Sequence, residues 1–343
     1  MKVLVTGGTG FVGAHAVAAL LAAGHDVRLL VRRPQRMATT LGAIGVDTAA
    51  LDVVVGDMVD AEAVRRAVQG TDAVIHAAAV VAALDRRHAE AALDVNVTGT
   101  RTVLDAAIEA GCDPVVHVSS IAAVFTPTGE RLTADLPPIV TAANPYTRSK
   151  AIAEDLARQR QASGHPVVIV YPGGVCGPQV GELCGEAAAG FASILRLGFL
   201  ALTDGGINVI DVRDLAAVLV AVLERGRGPR RYMAGGTLVT LPSLVEMFRR
   251  ATGRRIPAMR TPGAVYRGLG TALDGVRRVI PFDSVFTAEA MQLLTRAMDT
   301  DDSAVHDDLG VSYRAASQTV EDTLRALYAA GRLSAKQVGA LAR

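Results

Sequence analysis

The chain has 343 residues, more than one hydrophobic core usually supports, so two domains, or one domain with an added lobe, are expected. Half of the residues are hydrophobic and 20% are charged, which is typical of a well-buried globular enzyme and excludes a disordered chain. The formal net charge of +1 offers no electrostatic basis for binding nucleic acid.

Cysteine content and hydropathy indicate the cellular compartment in which the protein is expected. Cys112, Cys176 and Cys184 form no Cys-x-x-Cys pair, so neither disulfides nor a metal site is expected, which suits a reducing compartment. The chain enters a strand at residue 2 without a secretory signal pattern. No stretch reaches the ~18–20 uncharged apolar residues of a membrane span. These observations predict a cytoplasmic protein with no membrane span.

The first predicted strand, Lys2 to Thr6, leads into glycines at positions 7, 10 and 13 and into a helix over 11–23. Glycines let the backbone turn sharply and approach a pyrophosphate, and the helix N-terminus offers free N–H groups and a positive dipole end. The pattern therefore predicts a dinucleotide cradle. The alternative is an ordinary strand–helix turn.

Strands and helices continue to alternate as far as Tyr171. The strands are near-continuous in Val, Ile, Leu and Ala, which is typical of parallel strands covered on both faces. This alternation predicts an α/β fold with a doubly wound parallel Rossmann sheet. The predicted strands are Asp26–Val31, Leu51–Val55, Ala73–His76, Val115–Ser119 and Val167–Tyr171, and the helices cover Asp60–Gly70, Ala91–Ala110 and Tyr146–Ala162.

The regular alternation ends after Tyr171, where a loop over Pro172–Pro178 is expected. A smaller, mostly helical C-terminal substrate lobe is predicted. The first domain would comprise residues 1–172 and about 206–230, and the lobe 173–205 and 231–343. The later elements are a strand over Ile207–Ile210 and helices over Ala187–Leu197, Asp211–Arg225, Pro242–Thr252, Pro262–Val279, Thr287–Thr300 and Thr319–Ala330, the last with a capping signal at Thr319–Asp322.

Tyr146 and Lys150 lie four residues apart at the start of a predicted helix and therefore on one face. A free tyrosine has a pKa near ~10, and a neighbouring ammonium favours the phenolate. The pair is thus suited to exchanging a proton near neutral pH. The alternative is a helix start with an ordinary surface lysine.

Ser119 and Ser120 stand at the end of the fifth predicted strand. Carboxyl ends of parallel strands face the ligand crevice, where a hydroxyl can bond a substrate oxygen. Ser120 is the candidate. The choice between the two serines stays open, and so does a role for both as caps of the strand–loop junction.

Together these motifs resemble the short-chain dehydrogenase/reductase superfamily, and in particular its extended branch, the NAD-dependent epimerase/dehydratase family. The likeness is closest to dihydroflavonol reductase-like and 3β-hydroxysteroid dehydrogenase-like reductases. Further matching segments are Gly56-Asp57, His76 to Ala79, Asn96 to Thr100, Tyr171 to Val175 and Asn208 to Asp214.

The resemblance implies a role for each matching position. Tyr146 would exchange the proton, Lys150 would hold the nicotinamide ribose and acidify Tyr146, and Ser120 would polarise the substrate carbonyl. Extended members are often dimers, so a homodimer is expected by analogy alone. The implied cofactor-binding residues are Gly7, Gly10, Phe11, Val12, Gly13, Asp57, Met58, Ala77, Ala78, Lys150, Pro172, Gly173 and Val175.

The residues at the end of the second strand indicate whether the cofactor is NAD or NADP. NAD enzymes often carry an acidic residue there for the ribose 2′-hydroxyl, but this chain has Arg32-Arg33. A guanidinium can pair with a 2′-phosphate, so NADP is predicted, with Arg32 first and Arg33 or Arg36 assisting. The alternative is that Arg32 stacks on adenine and the cofactor is NAD.

The sequence thus predicts an enzyme, an NADP-dependent oxidoreductase acting on a carbonyl or secondary alcohol of a small substrate. Apolar residues over 191–200 hint that this substrate is hydrophobic, although they could equally pack the lobe core. An NAD-dependent sugar-nucleotide epimerase or dehydratase is the first alternative. Its usual Tyr-Gly ending after the serines is replaced here by Ile121 to Phe125. A redox-sensing protein without turnover ranks last, because the Tyr–Lys pair is present.

Overall fold

The computed structural model describes residues 1–80, 89–126, 131–142, 144–277, 288–296 and 298–342. Within these residues the strands are β1 (Lys2–Thr6), β2 (Asp26–Val31), β3 (Asp52–Val55), β4 (Ala73–His76), β5 (Val115–Val118), β6 (Val167–Pro172), β7 (Gly174–Cys176), β8 (Leu200–Leu202), β9 (Gly206–Asp211), β10 (Arg230–Ala234), β11 (Thr237–Thr240) and β12 (Ala258–Arg260). The helices are α1 (Phe11–Ala22), α2 (Arg36–Thr40), α3 (Ala61–Val68), α4 (Ala89–Glu109), α5 (Pro145–Ala162), α6 (Glu186–Leu197), α7 (Val212–Ala221), α8 (Leu241–Thr252), α9 (Gly263–Arg277), α10 (Ala288–Thr295), α11 (Ser303–Asp307), α12 (Ala316–Ala329) and α13 (Ala335–Val338).

A seven-stranded parallel sheet in the order β10-β6-β5-β4-β1-β2-β3 forms the centre of the molecule. Its inner strands are buried on both faces, one face packing on α1 and α7 and the other on α3, α4 and α5. The strand order reverses between β1 and β4, and ligands of such sheets bind outside the carboxyl ends at that point. The doubly wound fold predicted from the sequence is confirmed.

Helix α5, which carries the Tyr–Lys pair, has a well-defined start. Asn144 is its N-cap and accepts hydrogen bonds from the N–H groups of Tyr146 (2.8 Å) and Thr147 (3.1 Å), and Pro145 occupies the first turn. Arg148 on α5 donates two hydrogen bonds to Glu90 on α4, at 2.7 and 2.8 Å. These contacts define the start of α5 and connect it to α4.

A second lobe has its own core. A sheet in the order β11-β9-β7 and helices α6, α8 and α12 pack around it, with Phe191 and Phe248 in edge-to-face contact at 5.3 Å between ring centroids. A two-stranded sheet pairs β8 with β12. The smaller, largely helical C-terminal lobe predicted from the sequence is therefore present.

The structure differs from the sequence-based expectations at several elements of this lobe. Strand β10 joins the main sheet beside β6, although the sequence-based boundary leaves residues 231 onward in the lobe. Strand β9 belongs to the small sheet, not to the main one, and β7 lies inside the expected loop over Pro172–Pro178. The ends of the helices expected over 262–279 and 287–300 fall partly outside the described residues, and Thr300 instead forms a β-bridge with Leu132.

The predicted helix start at Thr319 is wrong. Helix α12 begins three residues earlier, at Ala316, and its N-cap Ala315 makes no side-chain cap. Thr319 lies inside the helix, where its hydroxyl donates to Asp211 across the interior at 3.1 Å. Asp322 pairs with Arg213 at 2.5 Å. Thr319 and Asp322 therefore connect α12 to Asp211 and Arg213. This contact between distant segments explains the pattern that resembled a helix cap.

Candidate active site

The loop between β1 and α1 is a cradle with no room for side chains. Gly7 has φ +77°, and a Cβ on it would lie 2.7 Å from the Ala78 nitrogen. A Cβ on Gly13 would lie 2.2 Å from the Gly7 carbonyl oxygen, whereas one on Gly10 would lie 3.1 Å from the same atom. The first intrahelical bond of α1 runs from Ala14 to Gly10.

The N–H groups of Phe11, Val12 and Gly13 therefore have no partner within α1. Gly10 is the N-cap and provides no side-chain cap. Free N–H groups at a helix N-terminus, next to a backbone without side chains, fit a pyrophosphate. The observed cradle thus suits the dinucleotide that the sequence implies.

The segment after β4 packs directly on this cradle. The N–H of Ala77 donates to the Thr6 carbonyl at 3.2 Å, and that of Ala78 to the Thr6 hydroxyl at 3.4 Å. Both alanines are half-buried. Two residues further on, Val80 makes two hydrogen bonds with Asn96 on α4, of 2.7 and 3.0 Å. Asn96 therefore connects α4 to the segment after β4.

Arg32 follows β2 and is largely exposed, with Nη1 3.6 Å from the Asp57 carboxylate after β3. Arg33 and Arg36 are also exposed and have no acidic partner among the described residues. Met58 is buried against Gly99 of α4, where a Cβ would lie 2.5 Å from its Cγ. The carboxyl ends of β2 and β3 thus carry several guanidinium groups and one carboxylate.

Lys150 connects α5 to the end of β5. Its Nζ donates to the Val118 carbonyl at 3.2 Å, and the next two residues are Ser119 and Ser120. Tyr146 lies one turn earlier on the same helix and is half-buried. The structure therefore brings the Tyr–Lys turn to the strand end that bears the two serines.

The two serines differ in their surroundings. Ser119 is 3% exposed, and its Oγ has no hydrogen-bond partner among the described residues. Ser120 is half-buried, and its Oγ accepts from the Ala122 N–H at 3.2 Å as the cap of a 3-10 turn over Ile121–Ala123. That bond leaves the hydroxyl hydrogen of Ser120 free to donate to another oxygen. Ser120 is therefore the more exposed of the two serines and caps the 3-10 turn.

Glu186, which the sequence reasoning missed, lies close enough to Lys150 to alter its charge. Burial lowers the pKa of Lys150 to about 8, while the carboxylates of Glu186 and Glu154 act to raise it. Burial raises the pKa of the Glu186 carboxyl above its usual value, and the Lys150 ammonium offsets only part of this rise. Glu186 begins α6 after an irregular segment, so no spacing in the sequence connects it to Lys150.

Two buried histidines lie beneath the crevice. His76 on β4 and His117 on β5 stack with ring centroids 5.7 Å apart. Burial lowers the pKa of His76 to about 3, so its ring is neutral. Its Nδ1 lies 2.7 Å from the Thr6 hydroxyl and its Nε2 3.1 Å from the Thr100 hydroxyl. His76 therefore fixes the ends of β1 and β4 to each other.

The segment after β6 closes the crevice on the lobe side. The N–H of Gly173 donates to the Ala234 carbonyl at 3.1 Å, directly after Pro172. A Cβ on Gly185, the N-cap of α6, would lie 2.0 Å from the Val175 oxygen of β7 and 3.0 Å from Cε1 of Phe11. The start of α6 thus stands against the strand that follows the main sheet.

The apolar residues over 191–200 divide into two groups. Phe191 and Leu195 are buried in the lobe core, which matches the packing alternative for these two residues. Leu197 and Phe199 are exposed. The whole segment therefore does not line one apolar pocket.

Comparison with known proteins identifies the family. A model of the NAD dependent epimerase/dehydratase family matches residues 3–235, more than half of the chain. Sterol demethylase protein B of Methylococcus capsulatus is 31% identical over 316 residues, covering 91% of this chain and 93% of that protein. A putative dihydroflavonol 4-reductase of Synechocystis is 34% identical over 272 residues, covering 75% of this chain and 74% of that protein.

The fold also matches solved structures. A UDP-glucose 4-epimerase from Stenotrophomonas maltophila, with bound NAD and formylated UDP-arabinopyranose, superposes with a TM-score of 0.76 at 21% identity, covering 97% of this chain and 100% of that chain. At this identity the match shows the fold alone. No described helix combines the length and apolar composition needed to cross a bilayer.

The chain belongs to the NAD-dependent epimerase/dehydratase family, the extended branch of the short-chain dehydrogenase/reductases. It is an NAD(P)-dependent oxidoreductase of that type. The family and the enzyme class predicted from the sequence are confirmed.

Proposed function

We propose that the protein transfers a hydride between NADP and the carbonyl or secondary alcohol of a small, apolar, uncharged substrate. One observation carries this proposal: the Lys150 ammonium is bonded to the Val118 carbonyl at the strand end that leads into Ser120. A proton-exchanging pair and a hydroxyl donor therefore meet beside the crevice into which the β1–α1 cradle opens.

Bound NADP(H) supplies or accepts the hydride. In the reducing direction, the Tyr146 hydroxyl gives its proton to the substrate oxygen as that oxygen gains negative charge. The Lys150 ammonium stabilises the phenolate that remains, and the Ser120 hydroxyl donates a hydrogen bond to the same substrate oxygen. In the oxidising direction, Tyr146 takes the proton back.

The preference for NADP rests on the surface beyond β2. Arg32, Arg33 and Arg36 are exposed, and among the residues that the structure describes Arg32 alone has an acidic neighbour, at 3.6 Å. A 2′-phosphate would give these guanidinium groups an anionic partner with bidentate geometry. Asp57 and Met58 would lie beside the adenine, and Pro172, Gly173 and Val175 beside the nicotinamide.

Glu186 supports an uncharged substrate. Its carboxylate, at the start of α6, acts to raise the pKa of Lys150. A carboxylate near Lys150 would repel the diphosphate of a sugar nucleotide, which disfavours such a substrate. The name of the sterol demethylase relative is consistent with an apolar substrate for this chain as well.

The test is Tyr146→Phe assayed on a panel of apolar ketones with NADPH. Losing the proton donor should lower turnover by about 10²–10⁴-fold, while the NADPH dissociation constant stays close to the wild-type value. Tyr328→Phe, on α12, is the matched control and should keep full activity. Equal activity of Tyr146→Phe and wild type would refute the assignment.

The same measurements distinguish the proposed reductase from the main alternative, a sugar-nucleotide epimerase. A sugar-nucleotide epimerase would be purified with tightly held NAD and would interconvert a UDP-sugar without net consumption of NADPH. Binding of NADPH without turnover on any carbonyl would instead indicate a redox sensor.

A further inference from the structure

The substrate lobe carries most of the exposed large apolar side chains. Ten large hydrophobic residues are exposed among the described residues, and six of them lie between positions 197 and 276. These six, which we call the lobe face, are between 41% and 65% exposed. They are Leu197, Phe199, Met259, Val265, Leu269 and Val276.

The fold brings these residues together from three segments. Leu197 and Phe199 directly precede β8, and Met259 on β12 pairs with Ala201 of β8. The Tyr266 hydroxyl on α9 donates to the carbonyl of the same Ala201 at 2.8 Å, so the start of α9 lies against this small sheet.

Helix α9 presents an apolar stripe. Val265, Leu269 and Val276 are spaced at i, i+4 and i+11, which places them on one side of the helix. All three are exposed, so this side of α9 is not covered by the described part of the chain. Exposed apolar patches of this kind mark interaction surfaces.

Arginines outnumber acidic residues in the segment that carries most of the lobe face. From Glu246 to Asp274 the chain has six arginines and two acidic residues, and Glu246 pairs with Arg249 at 3.4 Å and with Arg250 at 3.0 Å. Arg255 and Arg260 are exposed and form no ion pair with a described residue. Arg254 and Arg267 donate only to neutral oxygens, those of Gln337 and Thr295. Four of the six guanidinium groups therefore have no acidic partner among the described residues.

We propose that the lobe face docks the enzyme on an anionic lipid bilayer. Acyl chains accept exposed aliphatic side chains, and anionic headgroups pair with arginines that lack acidic partners within the protein. Arginine stems can also lie along the apolar boundary while the charged head stays at the headgroups.

A second copy of the chain is a poorer occupant of the lobe face. A two-fold contact places the same patch on both sides of the interface. The unpaired Arg255 and Arg260 of one copy would then approach those of the other, and like charges across an interface are costly. A bilayer supplies the opposite charge.

The experiment is co-sedimentation with two kinds of vesicle, phosphatidylcholine alone and a mixture of phosphatidylcholine and phosphatidylglycerol. The wild-type chain should sediment with the anionic vesicles, less so at high salt, and hardly at all with phosphatidylcholine. Arg260→Glu should weaken this binding by at least about 5-fold, the factor that one basic residue contributes near an anionic surface. Leu269→Glu should weaken it by at least about 10-fold.

Matched controls come from the first domain, away from the lobe in the chain. Val55→Glu, on the edge strand β3, and Arg66→Glu, on α3, change equally exposed residues and should leave vesicle binding unchanged. Circular dichroism and Tm verify that every variant is folded.

Three results would overturn the proposal. The first is an absence of wild-type sedimentation with either vesicle, and the second is anionic-vesicle binding that Arg260→Glu and Leu269→Glu leave intact. The third is an oligomer that Leu269→Glu dissociates, without vesicle binding by the wild type.

Discussion

Substituting Gly13 by alanine tests the cradle most sharply, because the same change can be made at glycines with different amounts of space. A Cβ at Gly13 would lie 2.2 Å from the Gly7 oxygen and 2.7 Å from the Gly7 carbon. Both are backbone atoms of the same loop, so the loop itself must move. Such overpacking costs about 1–3 kcal/mol.

The movement would also misalign the N–H groups that face the pyrophosphate. A hydrogen bond to a charged group contributes about 1.5–3 kcal/mol, so losing one should weaken NADPH binding by about 10- to 150-fold. Gly10→Ala, with 3.1 Å to the Gly7 oxygen, should weaken binding less. Gly190→Ala in α6 meets nothing within 4 Å and is the control.

The assay is fluorescence titration with NADPH, alongside thermal unfolding of each variant. Gly13→Ala should have the largest dissociation constant and Gly10→Ala the next largest. The dissociation constant of Gly190→Ala should equal that of the wild type. Wild-type affinity in a folded Gly13→Ala protein would refute the assignment of this loop as the cradle.

Two further predictions concern charge in the crevice. Arg32→Asp should shift the ratio of NADPH to NADH affinity about 10- to 100-fold towards NADH, because a carboxylate repels the 2′-phosphate; an unchanged ratio, measured by titration with each cofactor, would count against Arg32. Because the pKa of Lys150 is about 8, its ammonium is present below that pH and lost above it, so kcat/KM for carbonyl reduction should fall as the pH rises through about 8. Glu186→Gln removes a carboxylate that raises this pKa, so the fall in kcat/KM should move to lower pH. Glu182→Gln is the control and should leave the pH of the fall unchanged. An unshifted pH profile for Glu186→Gln would show that Glu186 does not act on Lys150.

The first half of the fold could be predicted because its inner strands are buried and rich in apolar residues, and because its helices end at glycines. The ends of β2, β4 and α5 fall within a residue or so of the prediction. The lobe was harder to predict. β12 is exposed at every residue and β10 begins with Arg230 and Arg231, so neither has the pattern of a buried strand.

The candidate site likewise combines features that the sequence predicts with features that it does not. The cradle and the Tyr146–Lys150 spacing are local patterns, readable along the chain. Contacts between distant segments are not, and neither the approach of Glu186 to Lys150 nor the bond from Thr319 to Asp211 has a signature in the sequence. The roles of the site residues, the homodimer and the cytoplasmic location stay predictions.

Deuterium transfer tests the central claim most directly. The purified protein is incubated with NADPH carrying deuterium at the transferable position of the nicotinamide, together with an apolar ketone, and the product is examined by mass spectrometry. Our account predicts an alcohol with one deuterium on its carbinol carbon, formed in equal amount to the NADPH consumed, and formed about 10²–10⁴-fold more slowly by Tyr146→Phe. Unlabelled product, or a UDP-sugar converted by tightly held NAD with no NADPH consumed, would contradict it.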